Sequence, residues 1–119
     1  MSIAMPDPVS AVLASALDGL ALRQLVIADN IANVDTPNFR ATSVDFESSL
    51  SAAISTGHVP ADGVAATESP TETPVGLNGN NVDLRKETLA AIQTQFQYQI
   101  MTRAVSDRLS LISTAAGSM

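Results

Sequence analysis

The chain has 119 residues, of which 12 are acidic, 6 basic and one His, with no Cys, and its 45% hydrophobic content includes only three Phe, one Tyr and no Trp. That length allows one domain with a modest core, and the scarcity of aromatics, which carry much of a globular core's buried area, points to burial along helix faces or against other subunits. Net negative charge without a Lys/Arg cluster argues against nucleic acid and anionic membranes as partners, and the absence of Cys removes disulfide and thiolate chemistry.

Residues 1–8 read as a flexible N-terminus. They lack the basic start and apolar run of a cleavable signal peptide, and no stretch of the chain is expected to reach the roughly 18 apolar residues of a membrane span. From residue 9 to 34 the pattern predicts one helix, with Pro8 at its start, where a missing N–H costs nothing. Leu13, Leu17, Leu20, Gln24, Ile27, Ile31 and Val34 recur at alternating spacings of four and three. This is a coiled-coil seam with Gln24 as its polar member. Leu22 and Val26 lie off the seam, which predicts a second face covered by a partner. Pro37 forces Thr36 out of helical geometry and stops the helix.

Residues 35–54 are predicted as an extended stretch from Arg40 to Phe46 and then a short helix, with Asp45 as N-cap and Gly57 as stop. Residues 55–81 hold four Gly, three Pro and few sizeable apolar residues. Such a stretch buries too little surface to offset its ordering entropy and is expected to be a mobile acidic loop.

From residue 82 to the end a second long helix is expected, capped by Asn81 or Asp83. Leu89, Ile92, Phe96 and Ile100 form one stripe, which Met101, Val105, Leu109 and Ile112 continue in a shifted register. The alternation of Gln93, Gln95, Gln97 and Gln99 with Thr94, Phe96 and Tyr98 has strand period. The absence of Gly and Pro before Gly117, with Leu, Ala, Gln and Met dominant, favours helix. The fold class is therefore all-α: long N- and C-terminal helices pairing in a coiled-coil-like bundle, with an irregular, partly disordered middle. Leu13, Leu17, Leu20, Ile27 and Ile31 are expected to pack on Leu89, Ile92, Phe96 and Ile100.

Chemistry finds little to work with. His58 is the only histidine, in a Gly/Pro-rich loop, and a zinc site needs three or four suitable ligands. No nucleophile motif or phosphate-binding glycine loop occurs, and the scattered Asp62, Glu68 and Glu72 lack calcium-loop spacing. No enzyme, metal or cofactor is expected. The informative run is Asn30-Ile31-Ala32-Asn33-Val34-Asp35-Thr36-Pro37-Asn38-Phe39. Its Asn and Asp side chains are good helix-termination chemistry. Asn30 and Asn33, one turn apart beside Ile31 and Val34, are also placed to hydrogen-bond a neighbouring chain and fix register.

That run, with Leu20, Arg23 and Arg40, Val44-Asp45-Phe46, Gly79-Asn80-Asn81-Val82-Asp83-Leu84, Glu87, Tyr98 and Gln99, resembles the bacterial flagellar basal-body rod proteins. The Asn-Ile-Ala-Asn-x-x-Thr-Pro signature is specific to flagellar axial proteins. Short length and the Gly-Asn-Asn-Val-Asp-Leu entry favour a proximal-rod member over its sister rod protein. The resemblance implies a structural subunit that polymerises through its terminal helices into a torque-transmitting shaft. It implies export by the flagellar type III apparatus without signal cleavage. It also implies partners in other rod subunits and in the membrane-embedded ring and small adapter at the rod base, giving homo- and hetero-oligomeric contacts in the basal body. The residues expected at subunit interfaces are Leu13, Leu17, Leu20, Ile27, Asn30, Ile31, Asn33, Thr36, Pro37, Leu89, Ile92, Phe96, Ile100, Val105 and Ile112. The competing reading from the residues alone is a non-flagellar helical adapter or secretion chaperone.

Overall fold

The computed structural model describes residues 8–60 and 62–117. The expected flexible N-terminus, Pro8 apart, and the last two residues of the expected C-terminal helix lie outside them. The described chain is mostly helical, in the order α1 (Pro8–Ala32), β1 (Thr42–Asp45), α2 (Glu47–Thr56), β2 (Thr67–Pro70) and α3 (Leu84–Gly117). It is elongated, 66 × 26 × 22 Å, because its two long helices lie side by side. They run antiparallel: Asn30 of α1 bonds Glu87 of α3, and Gln24 bonds Gln95. Gln24, the polar interruption of the first seam, is thus matched by a polar partner.

α1 is sided twice. Leu20 and Ile27 of the expected seam are buried, and Leu13, Leu17 and Ile31 are half-buried. A second face carries Ser15, Gly19, Val26 and Asn30, all buried. The expectation that a partner covers this face is corrected: the chain's own β1 and Phe46 do so. A Cβ on Gly19 would overlap the Phe46 ring, so a glycine sits mid-helix despite its helix penalty of about 1 kcal/mol. Ala16, Leu20, Val26, Val44 and Phe46 form the core, with Leu22, Leu50, Ala66, Tyr98 and Met101 packed on it.

A second expectation is also corrected. α1 is long and apolar enough to cross a membrane by length and composition, since Asp18, Arg23 and Asp29 are its only charges and Ala, Leu, Val and Ile fill most of the rest. Its two committed faces make it the core helix of this subunit.

β1 pairs antiparallel with β2, Thr42 opposite Pro70 and Asp45 opposite Thr67. β2 lies within the stretch whose composition suggested a loop. All four of its residues are exposed, so no inward–outward alternation marked it in the sequence. At the start of α2 the Asp45 carboxylate accepts the Ser48 N–H at 3.1 Å. At its end Gly57 takes the left-handed conformation (φ 73°), and the Gly57 and His58 N–H groups return to the Ile54 and Ala53 carbonyls. That closure satisfies orphan carbonyls at the helix end. Asp83 accepts the Lys86 N–H at 3.2 Å and opens α3, whose helical backbone overrides the Gln alternation.

α3 departs most from expectation. Leu89, Ile92, Phe96 and Ile100, expected to pack on α1, are 56, 64, 63 and 48% exposed. The face toward α1 is instead Glu87, Ala91, Thr94, Tyr98, Met101 and Val105, all buried or half-buried. At ~100° per residue these two stripes lie about 180° apart on the helix. The shifted register seen in the sequence is a change of face: Met101, Val105, Leu109 and Ile112 continue the inward stripe, and Leu109 and Ile112 are again exposed toward the helix end.

Candidate assembly surface and the clamp behind it

Where α1 ends, the two sequence motifs close on each other, Asn80 against Asn33 and Thr36. Asn30 is 1% exposed. Its Nδ2 donates to the Thr42 carbonyl and to Glu87 Oε1, each at 2.8 Å, and its Oδ1 accepts the Thr42 N–H at 3.3 Å. One amide therefore serves both backbone groups at the start of β1, as a strand neighbour would, and ties them to α3. Asn33 back-bonds to the Asp29 carbonyl and accepts the Thr36 hydroxyl, fixing the turn that Pro37 imposes.

The second motif reads this turn from the other side. Asn80 Nδ2 donates to the Asn33 and Thr36 carbonyls at 2.8 and 2.7 Å. Asn81 Oδ1 accepts the Ala41 N–H at 2.6 Å, and its Nδ2 reaches Thr71 Oγ1 and the Thr73 carbonyl. Gly79 (φ 79°) lies against Asn38, leaving no room for a Cβ. A buried carbonyl or amide left unpaired costs about 1–3 kcal/mol. No buried side-chain N or O atom among the described residues lacks a partner. The amides of Asn30 and Asn33, expected to set register with a neighbour, are engaged inside their own subunit.

A charged bracket holds β1 and α2 on α1. Arg23 donates to both Glu47 oxygens (2.8 and 2.6 Å) and to the Val44 carbonyl (2.7 Å), with its guanidinium 4.9 Å from the centre of the Phe46 ring. The hydrogen bonds from Arg23 lower the Glu47 pKa. The Ser48 side chain and backbone N–H lower that of Asp45.

The outside of the molecule is apolar along α3. Leu84, Leu89, Ile92, Phe96, Ile100, Leu109, Leu111 and Ile112 are all at least 43% exposed. Of the residues expected at interfaces, Leu20, Ile27 and Asn30 are interior. Leu13, Leu17, Ile31, Asn33 and Val105 are half-buried, and Thr36, Pro37, Leu89, Ile92, Phe96, Ile100 and Ile112 are exposed. Periodicity passed over Glu87, Thr94 and Asn80 as structural residues and offered Asn81 only as a helix cap, although Glu87 and the Asn-Asn pair stood out through the family resemblance. His58 is exposed on the turn after α2, and no group of three or more His, Cys, Asp or Glu among the described residues is placed to hold a metal ion.

A mostly helical subunit that builds its core on one long helix and turns the large apolar side chains of the other outward is an assembly component. Comparison with known proteins gives the assembly. The model of the family described as flagella basal body rod protein matches residues 11–40, which span most of α1 and the Asn30–Pro37 turn. Flagellar basal body rod protein FlgB of Bacillus subtilis is 35% identical over 86% of this chain and 88% of its own. Those of Borreliella burgdorferi and Escherichia coli K12 are 37% identical over 72% of this chain (78% of theirs) and 31% identical over 79% (82% of theirs). The chain belongs to the FlgB family of flagellar basal-body rod proteins. This favours the rod reading over the sister rod protein FlgC and over a helical adapter.

Proposed function

We propose that the chain is a non-catalytic structural subunit of the proximal rod, joining the shaft through its terminal helices and passing torque along it. The observation that carries this reading is the exposed apolar face of α3. Leu89, Ile92, Phe96 and Ile100 are 48–64% exposed, so covering them would contribute about half of the ~1.5–3 kcal/mol of a full burial each, about 3–7 kcal/mol in all. Association itself costs an estimated 4–15 kcal/mol. One such contact therefore gives at best a weak pair, and contacts with several neighbours at once give a stable shaft. The half-buried seam residues Leu13, Leu17, Ile31 and Val105 hold the helix pair that carries the surface.

On this reading the partners are other rod subunits and the ring and small adapter at the rod base. The chain reaches them through the flagellar type III apparatus with no signal peptide cleaved. Phe96→Asp tests the role: swimming and basal-body rods should be lost while the purified variant keeps its helical circular dichroism. Normal motility in that strain would sink the proposal.

A further inference from the structure

The two long helices each leave one apolar face uncovered, and the faces differ in size and sign. On α3 the outward residues Arg85, Leu89, Ile92, Phe96, Ile100, Arg103 and Asp107 follow seam spacing, with large apolar side chains in the middle and charge at the ends; all are exposed. On α1 the outward residues Ala14, Asp18, Ala21, Leu25, Ala28 and Ala32 also follow it, with Asp29 beside them. Leu25 is 70% exposed, and of the rest only Ala21 is partly covered. The α1 face is thus shallow and carries two acids and no base, because Arg23 points away to Glu47. The α3 face is bulky and carries two arginines against one acid. Asp18, Arg85 and Arg103 make no ion pair among the described residues.

We propose that the outward face of α1 receives the outward face of α3 from a second copy of this chain. This rests on the rod-subunit reading and adds which surfaces meet. Bulky side chains fit over small ones in close helix packing, and opposite charge at the edges steers and orients the docking. Because the two surfaces are different parts of one chain, the contact is head-to-tail and does not close on itself unless the rotation happens to return. Each copy keeps one face of each kind free, as a growing shaft needs. Two copies with their α1 faces together would set acid against acid, and two with their α3 faces together would bury the bulky stripes but leave both α1 faces uncovered and close the assembly at two copies.

The test uses a strain lacking the chain and two full-length variants. Asp18→Lys/Asp29→Lys makes both faces basic, and Arg85→Glu/Arg103→Glu makes both acidic. Either alone should reduce the number of basal bodies with rods by at least about tenfold through like-charge repulsion. Expressed together, they should restore it, since in an alternating array the two reversed faces meet each other and the two native faces meet each other. Circular dichroism of each purified variant checks that the fold survives. A rod count near native with one variant alone overturns the pairing, and so does failure of the mixture to recover, which would assign the faces to a different rod component. If the unaltered chain itself supports no rods, the functional reading fails instead.

Discussion

α1 and α3 both carry Leu, Ile and Val at helical spacing and put them to opposite ends. α1, the shorter, buries seven residues, including Ala16, Leu20, Val26 and Ile27. α3, nine residues longer (34 against 25), buries only Glu87 and Thr94, both polar. The first helix spends its apolar surface on the subunit and the second keeps its own for what lies outside. Apolar content in a helix therefore does not say where the core is; the partners of its polar residues do. Asn30 with Glu87 and Gln24 with Gln95 set the α1–α3 register, and the large side chains take the positions left over.

Substitutions inside the α1 half should unfold the subunit, and substitutions on the α3 face should leave it folded and unable to assemble. The largest effect is expected at the clamp. Asn30→Ala strands the Thr42 backbone groups and the Glu87 carboxyl in the interior, and should lower stability by about 3 kcal/mol in urea unfolding. A variant within experimental error of the native chain would mean that Asn30 is not the joint described. Gly19→Ala comes next. Helix propensity alone favours alanine by about 1 kcal/mol, yet the collision with Phe46 should make the variant less stable by about 1–3 kcal/mol. Pairing it with Phe46→Leu should recover part of that loss, which a double-mutant cycle would read directly.

The pH response is smaller. The Glu47 carboxyl is held below its ordinary pKa of 4.5 by Arg23. A depressed folded-state pKa means that the unfolded chain takes up the proton first. The stabilisation is thus fully present above the unfolded value and lost as pH falls through the folded one. Thermal melts of the native chain should therefore lose stability below about pH 4.5, and Glu47→Gln should flatten that acid limb. Because Glu47 is half-exposed, much of the effect is screened, and salt should weaken it further. The smallest effect on stability is expected at Leu89, Ile92 and Phe96. Replacing any one with Ser should change unfolding free energy by no more than about 0.5 kcal/mol, while incorporation into rods falls. A large loss of stability would place that side chain in the subunit core and break the contrast between the two helices.

Much of this was legible in the residues. The helical spans followed from period and from breakers: Pro8 and Pro37 bracket the first helix, Gly57 ends the second, and Asp83 opens the third. The seam through Leu20 and Ile27 was also legible, because on α1 the inward face and the large-apolar face coincide. On α3 they do not. A periodic reading ranks stripes by hydrophobicity and so chose Leu89–Ile100. The true contact face is Glu87, Ala91, Thr94 and Tyr98, whose small and polar members suit close approach to α1 and the amide pairs. β2 could not be foreseen, since an exposed Thr-Glu-Ser-Pro edge strand has no apolar alternation. It forms because β1 offers it a ladder held in place by Asn30. The clamp itself was half visible: the Asn-rich runs stood out, and only the fold shows that they answer each other within the subunit.

The most direct measurement is of the α3 face in its two states. With no native cysteine in the chain, Phe96→Cys supplies a single thiol on that face, whose reaction with a maleimide can be timed in the free chain and in isolated basal bodies. Rapid labelling of the free chain and strong protection in basal bodies is the expected result. Equal labelling in both would show that the outward face of α3 stays uncovered in the rod and would contradict the account.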